Sequence, residues 1–268
     1  MKQFDDGREE QLLQYVTEQL EGKPKNENRP QTVISLIDDF GVNHAYMMNV
    51  GSRKGKIVTD LIQEHKPQIM IELGCYVGYS TVLFAAALRA SGGKEYISFE
   101  REPKFAQIAA AMVELAGLSD VVRFVVGPSS SSLVLENKAG RLSSVDMVFL
   151  DHYKPAYVKD LKILETVGAI KVGSVLAADN VIEPGNPSYL AYVRGDSDEK
   201  RKQAREVEHS KFTSFPDETV NQYKEYAADD TELPGIPEII YESHIMHSHE
   251  PTGVPDGVEV TICKSFPK

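Results

Sequence analysis

The segment 68–80, QIMIELGCYVGYS, constrains this chain more than any other stretch. A short apolar run that halts at glycine reads as a buried parallel strand. The glycines that follow, Gly74 and Gly78, are spaced G-x-x-x-G and make a tight loop. Ser80 is a candidate cap for the helix after it, which Gly92 and Gly93 would end. Strand, glycine loop and helix in that order open a βαβ unit, because parallel strands can be joined only by a crossover.

The alternation continues downstream. Residues 94–100, 121–126, 146–151 and 174–178 read as strands, with helices from Pro103 to Gly117 and over 155–169. Such a pattern predicts an α/β fold, with a mainly parallel central sheet flanked by helices. Three amphipathic segments precede it: 8–21 with Leu12, Val16 and Leu20; 30–40 with Val33, Ile34, Ile37 and Phe40; and 53–65 with Ile57, Leu61 and Ile62. They predict a helical N-terminal layer over residues 1–66. Residues 196–238 carry 12 acidic and 6 basic side chains. They read as a charged, solvated insertion within a single domain spanning 1–268. Two last strands are expected at 238–244 and 258–263, with a turn at Pro255-Asp256-Gly257.

Charge and composition exclude several classes. A net charge of −11 argues against general affinity for nucleic acid or anionic membrane. No apolar run approaches the roughly 20 residues of a membrane span. The polar start of the chain does not resemble a signal peptide. Two cysteines, Cys75 and Cys263, make no disulfide framework, and free thiols suit a reducing compartment, so a cytoplasmic enzyme is expected.

The glycine loop points to a nucleoside cofactor, bound beyond the strand ends as in other parallel sheets. Glu100, at the end of the next strand, can accept hydrogen bonds from two ribose hydroxyls. A dinucleotide site would need G-x-G-x-x-G, which is absent here. A carboxylate beside the loop, Glu72, would repel a pyrophosphate but favour the cationic sulfonium or amino group of S-adenosylmethionine. Asp151 ends the fourth expected strand, and Asp179 and Asn180 end the fifth. Three oxygen ligands at neighbouring strand ends would select a hard cation, most simply Mg²⁺. One such residue alone would more simply cap a helix or form a turn. Lys154 is the candidate general base: a free lysine titrates at about 10.4, and a nearby divalent cation and burial would favour its neutral form. His244, His247 and His249 fit alternation along a strand better than a second metal site. Cys75 fits a small packed side chain.

Four stretches in this order, MNVGSRKGKIV at 48–58, IELGCYVGYS at 71–80, DMVFLDHYK at 146–154 and LAADNVIEPGNPSYLAYVRG at 176–195, resemble the catechol O-methyltransferase family. The likeness implies a Rossmann-like methyltransferase fold and Mg²⁺-dependent transfer of a methyl group from S-adenosylmethionine to one catechol hydroxyl. It further implies that Asp151, Asp179 and Asn180 bind Mg²⁺ and that Lys154 is the base. Val50, Glu72, Gly74, Tyr76, Ser80, Glu100, Ser129, Asp151 and His152 would line the cofactor site. Lys154, Asn180 and Pro184 would meet the catechol, and Glu242, in a stretch resembling a late strand of the family, would hold its second hydroxyl. The chain departs from the family in having no tryptophan: Tyr46 and Tyr153 stand where the substrate-walling tryptophans would be, and Arg101 replaces an apolar residue near the adenine. The insertion is also longer than the family's connection. Alternatives are a related cation-dependent methyltransferase of caffeoyl-type phenols, an NAD-dependent dehydrogenase and a catalytically silent binding protein. Oligomeric state is left open.

Overall fold

The structure, a computed structural model, describes residues 4–24, 26–206, 229 and 231–267. Most of the charged insertion, 207–228 and 230, lies outside the described residues. The chain forms two compact units, Met1–Gly127 and Pro128–Lys268.

The first unit runs α1 (Arg8–Leu20), α2 (Arg29–Asn43), α3 (Gly51–His65), β1 (Ile69–Leu73), α4 (Tyr79–Ala90), β2 (Glu95–Glu100), α5 (Pro103–Ala116) and β3 (Val122–Val126). Three helices thus precede the first strand, as their amphipathic spacing predicted. Leu12, Val16 and Leu20 of α1, and Val33, Ile34, Ile37 and Phe40 of α2, are buried. Each such side chain contributes about 1.5–3 kcal/mol of burial. Both β1–β2 and β2–β3 are parallel pairs, with Ile71 opposite Ile97 and Ser98 opposite Phe124. Helix α5 has the boundaries its sequence dictates. Glu102 accepts from the Lys104 N–H at its start, Pro103 opens it, and Gly117 ends it at φ 71°. Helix α4 departs from expectation. Its cap is Gly78 at φ 89°, and Ser80 lies buried inside the first turn with no capping bond.

In the second unit, α6 (Ser129–Lys138) and β4 (Met147–Leu150) are followed by a 3₁₀ turn at Lys154–Ala156, α7 (Tyr157–Thr166) and β5 (Val175–Ala178). An irregular turn, Val181–Gly185, then leads to α8 (Pro187–Arg194), α9 (Ser197–Glu206), β6 (Ile240–His249) and β7 (Pro255–Ser265). The helix expected over 155–169 opens with that 3₁₀ turn, where Pro155 suits a first helical position, and is α-helical over Tyr157–Thr166. Strands β4 and β5 are parallel, β7 is antiparallel to β5, and β6 is antiparallel to β7. The turn expected at 255–257 lies instead at 250–254, where Glu250 N–H donates to Val254 at 2.8 Å. Asp256 and Gly257 belong to β7. Gly257 serves close packing there: a Cβ would stand 3.0 Å from the Met246 carbonyl oxygen and 3.2 Å from Ile182 Cδ1. Among the described residues no helix is long and apolar enough to cross a membrane.

Gly78 combines a left-handed backbone with a close approach of a neighbouring helix. A Cβ there would meet the Ala109 Cα at 2.9 Å, and its φ is positive. Gly78→Ala is expected to cost about 1–3 kcal/mol in urea unfolding. A loss below about 0.5 kcal/mol would contradict this packing.

Candidate active site

In the first unit the loop between β1 and α4 is tied to the end of β2 by one carboxylate. Glu100 Oε2 accepts from the N–H groups of Cys75 at 3.1 Å and Tyr76 at 3.0 Å, and Oε1 accepts from Glu102 N–H at 2.9 Å. Burial pushes the Glu100 carboxyl up, and these backbone donors pull it back in part. The loop turns through two positive φ angles besides Gly78: Gly74 at 85° and, unusually for a side-chain-bearing residue, Tyr76 at 50°. Glu72 is fully buried, and its Oε2 accepts from Thr81 Oγ1 at 2.6 Å and Ser98 Oγ at 2.9 Å. The phenol of Tyr76 donates to Glu9 Oε1 at 2.6 Å, so the start of α1 is fastened to the loop. Next to Glu9, the Arg8 Nη1 donates to the carbonyl of Tyr46 at 2.6 Å. Val50 is buried at the start of α3, and the Tyr46 side chain is 40% exposed.

In the second unit, register does the positioning. Leu150 stands opposite Ala178, so Asp151 and Asp179 extend the ends of two adjacent parallel strands, and Asp179 N–H donates to Leu150 at 2.9 Å. Lys154 Nζ lies 2.8 Å from Asp151 Oδ1 and 3.0 Å from the hydroxyl of Tyr157. That hydroxyl reaches the carbonyls of Leu150 at 2.8 Å and Asp179 at 3.2 Å. Tyr157 is fully buried, and burial holds its phenol far above the ordinary range. It acts as a fixed neutral strut between the two strand ends and the lysine.

Asn180 continues the same rim in the left-handed conformation, at φ 58°. Its Nδ2 donates to Glu250 Oε1 at 2.6 Å and Asp256 Oδ2 at 3.2 Å. The amide nitrogen is therefore committed to two carboxylates, which leaves Oδ1 as the end offered to a cation. Asp179 is 1% exposed, and a carboxylate so buried needs a cationic or hydrogen-bonding partner. Two carboxylates and one amide oxygen fit a hard cation. Among the described residues no group of three or more His, Cys, Asp or Glu is arranged to hold a metal; the expected trio has only two residues of those types.

Ser129 and His152 meet through a third residue. Asp160, fully buried on α7, accepts from Ser129 Oγ at 2.5 Å and from Ser130 Oγ, and lies 2.8 Å from His152 Nε2. The His152 ring stacks on Tyr157 at 4.9 Å between centroids.

A profile of O-methyltransferases matches residues 29–214. The chain belongs to the O-methyltransferase family. It is 40% identical to catechol O-methyltransferase of Bos taurus over 190 residues, 71% of this chain and 67% of that protein. Identity to the Mus musculus catechol O-methyltransferase is also 40%, covering 71% and 69%. Among solved structures, the O-methyltransferase TomG from Streptomyces achromogenes, in complex with SAM, aligns with a TM-score of 0.57 at 19% identity, covering 96% of this chain and 99% of that one. The expected α/β methyltransferase fold is thus the fold of this chain.

The methyltransferase brings Asp151, Lys154, Asp179 and Asn180 to one rim of its second unit, as the sequence predicted. It does not bring Glu242 there. Strand β6 runs parallel to β5 across β7, and Glu242 stands opposite Ile262, which is itself opposite Val175 at the start of β5. Four residues separate that level from Asp179, roughly 13 Å of strand. The Glu242 carboxylate instead pairs with Lys264 Nζ at 2.9 Å and is 66% exposed; that ammonium holds it below the usual carboxylate range. Pro184 follows a cis peptide in the turn after Asn180, and Tyr153 is half-buried just before Lys154. Both cysteines are free and buried. His244, His247 and His249 lie along β6, the outermost strand.

Five residues were not read from the sequence as parts of a site: Glu9, Tyr157, Asp160, Glu250 and Asp256. A signal existed for one of them. Asp160 interrupts the apolar face of α7 between Tyr157 and Leu161, where a charge must find partners inside the protein. Tyr157→Phe is expected to cost about 1–3 kcal/mol in denaturant unfolding, because two buried carbonyls and an ammonium lose a partner. Unchanged stability would remove Tyr157 as the strut.

Proposed function

We propose that this methyltransferase moves the methyl group of S-adenosylmethionine to one hydroxyl of a catechol, with Mg²⁺ held by Asp151, Asp179 and Asn180. The observation that carries the reading is the Asn180 amide, whose nitrogen is held by two carboxylates so that its oxygen is the end offered on the rim that also carries Asp151, Asp179 and the half-buried Lys154. When bound, Mg²⁺ supplies charge that favours the ionised form of a chelated hydroxyl. S-adenosylmethionine supplies an activated methyl on a sulfonium.

The chain's own residues do the rest. Glu72, Gly74, Tyr76, Ser80 and Glu100, with Val50, bind the cofactor, Glu100 at its ribose. Ser129, Asp151 and His152 are likewise assigned to cofactor binding. Lys154 Nζ, in its neutral form, takes the proton of the hydroxyl that is to be methylated. Asp151 and the Tyr157 hydroxyl hold that nitrogen in place. The second hydroxyl passes from Glu242 to Glu250, the carboxylate already 2.6 Å from Asn180 Nδ2. Tyr153 and Pro184 wall the ring, and tyrosine keeps the aromatic face that the family's tryptophan would present. No covalent enzyme intermediate is needed, and alignment of the two substrates is the main contribution of the protein.

Product analysis with a small catechol, a bulky phenylpropanoid ester, S-adenosylmethionine and Mg²⁺ tests the reading. A monomethylated catechol is the expected product. Methylation of the ester alone would shift the substrate class to caffeoyl-type phenols. Two sets of variants test the roles. Lys154→Ala is expected to lower kcat at least about a hundredfold while leaving S-adenosylmethionine affinity within a few-fold; equal turnover at neutral pH would remove Lys154 from proton transfer. Glu250→Ala is expected to raise the catechol KM or lower kcat about tenfold or more, and Glu242→Ala to change neither beyond twofold. The opposite ranking would restore Glu242.

A further inference from the structure

We infer that Asp256 is a positioning residue: it sets which end of the Asn180 amide faces the divalent cation. The inference rests on the metal reading proposed above. An amide offers an oxygen acceptor at one end and two N–H donors at the other. Only the oxygen end can ligate a cation, so an asparagine ligand needs something that prevents its flipping. Here the flipped amide would press Oδ1 against Glu250 Oε1 and Asp256 Oδ2, now 2.6 and 3.2 Å from Nδ2. Acceptor would face acceptor at both contacts.

Of the two carboxylates, Asp256 is the one that cannot turn away. It is 1% exposed, whereas Glu250 is half-buried in the turn between β6 and β7. Its second oxygen, Oδ1, accepts from the N–H groups of Ile182 at 3.2 Å and Glu183 at 3.0 Å. These residues come directly after the Asn180-Val181 pair, where the chain leaves the left-handed conformation of Asn180. One carboxylate therefore fixes both the side chain of Asn180 and the backbone that carries it. Strand pairing holds Asp256 in turn: β7 is antiparallel to β5, so its first residues lie level with the residues just past the end of β5. The close approach at Gly257, where a Cβ would stand 3.2 Å from Ile182 Cδ1, keeps the turn seated on β7. Asp256 thus reaches the cation through Asn180, and its loss should be felt as metal affinity.

A double-mutant cycle on the full chain separates this role from simple scaffolding. The probe is Mn²⁺ alone, titrated by the electron paramagnetic resonance signal of the free ion. Asp256→Asn is expected to weaken Mn²⁺ binding at least about tenfold, because its side-chain NH₂ can donate to the flipped oxygen of Asn180. In an Asn180→Asp background the same change should leave binding equal or tighter. A carboxylate presents oxygen in either orientation, and Asp256→Asn would also relieve repulsion beside it. Binding by Asp256→Asn within twofold of wild type would overturn the inference, and so would an equal loss in both backgrounds. If wild type binds no Mn²⁺ while Asp256→Asn folds normally, the metal reading itself has failed. Should Asp256→Asn not fold, the wild-type protein still decides. Its Asn180 side-chain NH₂ should exchange slowly with solvent by NMR, and rapid exchange would overturn the inference.

Discussion

The pairing of β7 against β5 decides what chemistry the second unit can hold. Because the two strands are antiparallel, the start of β7 and the end of β6 lie level with the end of β5. That places Asp256 and Glu250 around Asn180 and leaves Glu242 at the opposite end. The parallel pair β4–β5 contributes the other half by setting Asp151 beside Asp179. A shift of one residue in either register would turn alternate side chains to the other face of the sheet and empty the rim. The oxygen donors and the lysine are thus held by backbone ladders more than by contacts among themselves.

Buried carboxylates recur among the described residues, and four of them are answered by nearby donors. Glu100 collects backbone N–H groups, Glu72 two hydroxyls, Asp160 two serines and a histidine, and Asp256 two backbone N–H groups and an amide. A buried acid without such partners would cost several kcal/mol. These acids lie against elements that carry proposed site residues: the glycine loop, His152 and the Asn180 turn. The same bonds that offset their burial also fix the groups they touch.

Much of this was legible in the sequence. The alternation of strands and helices, the N-terminal helical layer and the glycine loop follow from hydrophobic periodicity and punctuation, which are local properties. Asp151, Asp179 and Asn180 were readable because each lies just past an apolar strand, and strand ends in a parallel sheet share a rim. The misreadings came from non-local causes. Glu242 was placed by resemblance of a short stretch, and only the β5–β7–β6 register reveals that it sits at the wrong level. Pro255-Asp256-Gly257 has turn chemistry, yet the strand continues through it because Gly257 is needed for close packing against Met246 and Ile182. Ser80 has the chemistry of a cap, but Gly78 takes that place at a positive φ. Glu9 and Tyr76 are 67 positions apart, beyond the reach of any periodicity.

The central claim is that Asp151, Asp179 and Asn180 gather around one divalent cation. Anomalous diffraction from crystals soaked in Mn²⁺ tests it directly. One strong peak is expected, bonded to oxygens of those three side chains, with Lys154 beside it and Glu242 remote. A peak held by other residues, such as the histidines of β6, or no peak at all at millimolar Mn²⁺, would contradict it.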